Sequence, residues 1–158
     1  MEKIYGRFTK YIECINLKRN KWMVRWDAHL NDDGTSTYME EEFDHQPELD
    51  EIKRLVIGWY NSQIDNQILS GMVYDGVPVW LSKENQFNYK AAYDFAMQTG
   101  GKNLPITFKF GTDETPVYRT FATVEEITDF MTASIQFLQK TLSEGWSKKE
   151  AVDWSVYK

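Results

Sequence analysis

The sequence predicts an α+β fold in which an antiparallel β-meander plus helix packs on a β-β-α-β-β-α-α lobe. Three observations carry the prediction. The first 43 residues alternate apolar and polar side chains with the period of two that a half-buried strand requires. The rest alternates turn dipeptides and helix caps with apolar residues at helical spacing. No Pro-, Gly- or Ser-rich linker interrupts the chain, so two lobes are expected in close contact, residues 1–66 (β-β-β-α) and 67–158.

Residues Lys3 to Ile15 read as one long or two broken strands. From Lys21 to Ala28, Trp22, Val24 and Trp26 share one face while Lys21, Arg25 and Asp27 fall mainly on the other, the clearest strand of the chain. Asn31-Asp32-Asp33-Gly34 supplies turn chemistry before a strand over Thr35 to Phe43, which completes a three-stranded meander. Pro47 suits a first helical position, and Glu48, Asp50 and Glu51 complement the positive end of a helix dipole. Leu49, Ile52, Val56, Trp59 or Tyr60, and Gln63 or Ile64 then recur at helical spacing, predicting a helix over 48–67. Gly58 inside it costs about 1 kcal/mol relative to alanine, for which a close packing contact would be the reason.

Ile68 to Tyr74 and Val77 to Leu81 flank Asp75-Gly76, a dipeptide that accepts the positive φ angles of a type I′ hairpin. Ser82 can cap a helix from Lys83 with Phe87, Ala91 and Phe95 on one stripe, and Gly100-Gly101 ends it. Ile106, Phe108 and Phe110 alternate with Thr107 and Lys109; Gly111 to Pro116 makes a loop and Val117 to Phe121 returns. Thr123 and Glu126 have capping-box spacing, and Val124, Ile127, Met131, Ile135, Leu138 and Leu142 trace an apolar stripe behind them. Gly145 is expected to end that helix. Ser147 and Glu150 repeat the box for a short terminal helix containing Val152 and Trp154.

Composition bounds the function. A chain of 158 residues can bury roughly 70% of its unfolded surface. Six Trp, nine Tyr and nine Phe argue for a packed core and against disorder. No apolar run approaches a membrane span and Met1 to Lys10 lacks a signal peptide's apolar stretch, so a soluble protein without a membrane role is expected. A net charge of −6 disfavours nucleic acid, and the one basic cluster, Lys18, Arg19 and Lys21, fits a solvated turn. A single cysteine, Cys14, excludes an internal disulfide and fits a small buried hydrophobe.

Gly71-Met72-Val73-Tyr74-Asp75-Gly76-Val77-Pro78-Val79-Trp80-Leu81-Ser82, followed by Glu84-Asn85-Gln86-Phe87-Asn88, resembles a domain family of bacteriophage and prophage proteins. In that family a glycine, an aromatic strand, a tight turn and a second strand lead into a helix bearing Gln and Asn near its start. The resemblance continues through Pro105-Ile106-Thr107-Phe108-Lys109-Phe110 and the helix from Val124, spanning residues 67–155. It implies a tail-associated role, with phage structural proteins as partners and a location in the bacterial host's cytoplasm or on the virion. Residues 1–66 lie outside it.

The residues themselves supply no assembled catalytic site. Nucleophilic catalysis needs an aligned base, and only His29 and His45 offer imidazoles, both at strand ends. Glu40, Glu41, Glu42, Asp44 and His45 are the densest acidic cluster, but alternation sends Glu41 away from Glu40 and Glu42. Asp113 and Glu114 fit a solvated turn. Gly100-Gly101-Lys102 lacks the rest of a phosphate loop. Neither a catalytic set, a cofactor nor a metal is expected. The candidate contact residues for a ligand or partner are the amides Asn85, Gln86 and Asn88 and the terminal indoles Trp146 and Trp154, whereas Trp22, Trp26, Trp59 and Trp80 are expected in the core. The expected function is a non-enzymatic phage or prophage accessory protein acting through protein contacts, with a homo-oligomer compatible; the alternative is a small-ligand or carbohydrate-binding module.

Overall fold

The computed structural model describes residues 1–158 and shows an α+β structure of three α-helices and antiparallel sheets. It divides into two compact units, Met1–Trp59 with Ala151–Lys158, and Tyr60–Glu150. The division falls inside the first helix at 59/60, where the sequence reading places it after that helix, and residues 151–158 belong with the N-terminal unit.

In the first unit, β1 (Glu2–Gly6), β2 (Ile12–Asn16), β3 (Lys21–Leu30) and β4 (Ser36–Phe43) form one antiparallel sheet in the order β1-β4-β3-β2. The expected three-stranded meander is β2-β3-β4, and the segment Lys3 to Ile15 is two strands on opposite edges. These edges lie about 14 Å apart, a gap that Arg7–Tyr11 spans because an extended residue covers about 3.3 Å. The connection crosses one sheet face, where the Phe8 ring meets Tyr38 at 5.4 Å and Tyr11 at 4.8 Å. The opposite face carries the fully buried Val24 and Trp26, and Trp59 of α1 (Leu49–Ser70) meets Trp26 edge-on at 6.1 Å. Trp22 is only half-buried and donates its Nε1 hydrogen to Asn20 Oδ1 at 3.0 Å. Alternation fails at Asp27, whose φ of +53° lies at a register shift between Trp26 and His29.

In the second unit, β5 (Met72–Tyr74) and β6 (Val77–Val79) form the expected hairpin. Asp75 and Gly76 both have positive φ, +49° and +77°, as a type I′ turn demands. Ser82 caps α2 (Lys83–Thr99) by accepting the Asn85 N–H, and Gly100 ends it in the left-handed region. β7 (Ile106–Gly111) pairs with β8 (Pro116–Phe121). The capping box that opens α3 (Val124–Glu150) closes: Thr123 Oγ1 accepts from Glu126 N at 3.2 Å, and Glu126 Oε2 accepts from Thr123 N at 3.4 Å and more closely from Ala122 N at 2.6 Å. The core is aromatic. Phe130, fully buried, has Tyr89, Tyr74, Phe110 and Phe121 rings within 5.1–5.3 Å and Phe108 at 6.0 Å.

Several expectations need correction. The stripe Phe87, Ala91, Phe95 is exposed; α2 instead buries Tyr89 and Ala96, with Ala92 and Tyr93 partly covered, on its opposite side. The buried residues of α3 are Ile127, Phe130, Met131, Ser134, Thr141 and Gly145, while Ile135 is exposed: the expected stripe and the buried one both advance at about 3.6 residues per turn, and the buried one is centred on the side of Phe130 and Ser134 rather than Ile135. Gly145 does not end α3. It lies buried where an added Cβ would overlap Ile64 Cγ1 and Cδ1 of α1, so its small size permits close helix approach. α3 therefore continues to Glu150, and the expected terminal helix is a single 3-10 turn, Trp154–Tyr157, capped by Asp153. Gly58, expected at a close contact, has nothing within 4 Å of a built Cβ. Cys14 is half-buried on edge strand β2 rather than in the core.

Candidate interaction surface

The junction between β6 and α2 positions the amide candidates. Asn85 donates its side-chain N–H to the Trp80 carbonyl at 2.8 Å, and Gln86 donates to the Leu81 carbonyl at 2.7 Å. Both amides thereby satisfy strand-end acceptors that would otherwise lack partners where the chain turns into the helix. Asn88, a turn later, points to solvent. Trp80, expected in the core, is 50% exposed: it lies just past the end of β6, between the inward Val79 and Leu81, with its indole turned outward. Trp146 on α3 is also half exposed, at 52%. Trp154 is half-buried in the first unit, its ring 6.1 Å from Tyr157. The three amide candidates thus share one junction, and the two indole candidates stand on other elements.

The exposed aromatics that sequence reading missed lie beside that junction along α2. Phe87 is 72% and Phe95 50% exposed, two turns apart with the small Ala91 between them. The signal was divided: Tyr89, Ala92, Tyr93 and Ala96 form a second apolar set on the same helix, and this richer set takes the core. On the β7-β8 hairpin, the exposed Tyr118 faces Lys109 across the strands, next to a Thr107–Thr120 hydroxyl pair at 2.8 Å.

The charged groups are absorbed locally. Lys109 binds Asp113 at 2.9 Å, which raises the lysine's pKa and lowers the aspartate's. Arg119 pairs with Asp75 and Lys90 with Asp94. In the first unit, Glu40 pairs with Arg25 and Glu42 with Lys21, while Glu41 meets the N-terminal ammonium. His29 bonds Asp27, and His45 is held between Asp44 at 3.0 Å and Glu51 at 2.9 Å. No three His, Cys, Asp or Glu side chains converge on a cation position. No helix is long and apolar enough to cross a membrane. Comparisons with protein-family models, curated proteins and solved structures give no significant match.

Proposed function

We propose that this chain is a non-enzymatic accessory protein of a phage or prophage that works through protein contacts, in tail assembly or structure. The observation that carries this reading is the set of outward aromatic rings on the second unit, Trp80, Phe87, Phe95, Tyr118 and Trp146. Such rings supply large apolar area with few rotatable bonds, the property that makes aromatics the anchors of protein interfaces. The phage context comes from the sequence resemblance over residues 67–155. Affinity purification of the tagged chain from an induced lysogen is expected to recover an identified virion or assembly component, and Trp80→Ala with Tyr118→Ala is expected to reduce that recovery. Recovery of no such component from the wild-type chain overturns the reading.

A carbohydrate-binding reading is favoured by one observation, the half-exposed Trp80 indole at the Asn85 and Asn88 end of α2. Indole faces stack on sugar rings while neighbouring amides bond hydroxyl groups. A glycan array on which the wild-type chain binds and Trp80→Ala does not supports it, and a blank array removes it.

A further inference from the structure

Packing gives no reason for the glycine in α1. A glycine inside a helix weakens it, and the common reason to keep one is a neighbour that a side chain would strike, as Ile64 is for Gly145. At Gly58 a built Cβ meets nothing within 4 Å, and the residue is exposed. Alanine would fit there. The helix therefore carries a weak turn that its surroundings do not require.

That turn lies at a boundary. α1 is a single helix, yet the division between the two compact units falls within it at 59/60, one residue past Gly58. The two halves of the helix are anchored separately. In the first unit Ile52 and Val56 are fully buried, and Trp59 meets Trp26 edge-on. In the second, Asn61 Oδ1 accepts from Lys149 Nζ at 2.9 Å, and Ile64 lies against Gly145. Ser62 follows Gly58 by one turn, and glycine–serine pairs are among the few settings in which helices bend sharply. The chain passes between the units at one other point, 150/151, where α3 has ended. Residues 151–153 there lie outside helix and strand, ahead of the 3-10 turn at Trp154.

We propose that residues 58–61 of α1 form a hinge, at which the helix opens locally and the two units turn with respect to one another while each keeps its own core. Buried anchors stiffen the helix on both sides, so deformation concentrates in the one turn that passes from the hold of one unit to that of the other. Gly58 lowers the resistance of that turn, because it gains least from helical geometry and no neighbour confines it. The non-helical residues 151–153 let the second crossing follow. The hinge is a property apart from the protein-contact reading and stands or falls without it.

Two measurements on the full chain test it. In native-state hydrogen exchange, the amides of residues 59–62 donate to the carbonyls of residues 55–58 and so span the turn. They are expected to exchange at least about tenfold faster than those of residues 52–56 and 64–67 on either side. For the second, spin labels are placed at the exposed positions of Lys18→Cys in the first unit and Lys102→Cys in the second, in a Cys14→Ser background. Pulsed dipolar spectroscopy is expected to give a distance distribution with a minor component. Gly58→Ala, whose methyl group has room, is expected to reduce that component about fivefold, the scale of alanine's advantage over glycine in a helix. Protection of residues 59–62 equal to that of their flanks, a single narrow distance, or a minor component that Gly58→Ala leaves unchanged overturns the hinge.

Discussion

At the scale of single residues, Arg25 does the most to close the first unit. Its guanidinium donates to Glu40 at 3.1 Å, Glu13 at 2.9 Å, Thr9 at 3.3 Å and the Lys10 carbonyl at 3.1 Å, and it stands 5.8 Å from the Tyr38 ring centre. One side chain thus ties β3 to β4, to β2 and to the segment crossing from β1. Burial disfavours its charge, but the hydrogen bonds it donates to Glu13 and Glu40 outweigh that and raise its pKa, and the bond from Arg25 lowers that of Glu13. Arg25→Met keeps the aliphatic stem and leaves these acceptors unanswered. Urea unfolding is expected to show a loss of about 2 kcal/mol, the scale of a charge-assisted hydrogen bond left unmade. His45 gives a second prediction at this scale. Hydrogen bonds first to Asp44 and then to Glu51 raise its pKa above 6.5, and the bond to His45 lowers the pKa of Asp44 below 3.8. A raised histidine contributes stability that is full below pH 6.5 and fades as pH climbs through the folded pKa; the depressed Asp44 contributes above pH 3.8 and fades as pH falls through its own. The clasp between β4 and α1 is therefore strongest in mildly acid solution. The stability gap between wild type and His45→Gln should narrow from pH 6 to pH 9, and the His45 ring protons should titrate with a midpoint above 6.5. A gap that widens with pH contradicts the clasp.

At the scale of elements, legibility followed how local each signal is. Asp75-Gly76, Ser82, Gly100 and the Thr123–Glu126 box were readable because their chemistry is completed within a few residues. The two glycines in helices were misread because their meaning depends on a partner far along the chain: Gly145 faces Ile64, while a Cβ at Gly58 meets nothing. The α2 faces were exchanged for a related reason, since two apolar sets at helical spacing cannot both face one core. The amides Asn85 and Gln86 were legible as a group, and only their acceptors, the Trp80 and Leu81 carbonyls, needed the fold. The Gly145 contact makes a sharp prediction. A methyl group there must displace the branched Ile64 side chain, so Gly145→Ala should destabilise the protein by about 1–3 kcal/mol despite alanine's better helix propensity. Ile64→Ala should recover part of the loss in the double variant. A double-mutant cycle that returns simple additivity would show that the two side chains do not meet.

At the scale of the molecule, the two units derive their stability from different chemistry, polar ties across a curved connection in one and a knot of aromatic rings in the other. The second is the more exposed to a single substitution, because Phe130 is the ring that Tyr74, Tyr89, Phe108, Phe110 and Phe121 share. Phe130→Ala removes it from a fully buried site, and filling such a cavity would require several neighbours to leave their rotamers together. The expected cost is about 3–5 kcal/mol, a large part of the roughly 5–15 kcal/mol that holds a domain folded. Hydrogen exchange should show this as lost amide protection in β7, β8 and α3. Phe87→Ala is the matched comparison, since it deletes the same side chain from a site that is 72% exposed, where a change within about 0.5 kcal/mol is expected. Equal losses for the two variants would place Phe87 in the core and deny α2 its outward ridge.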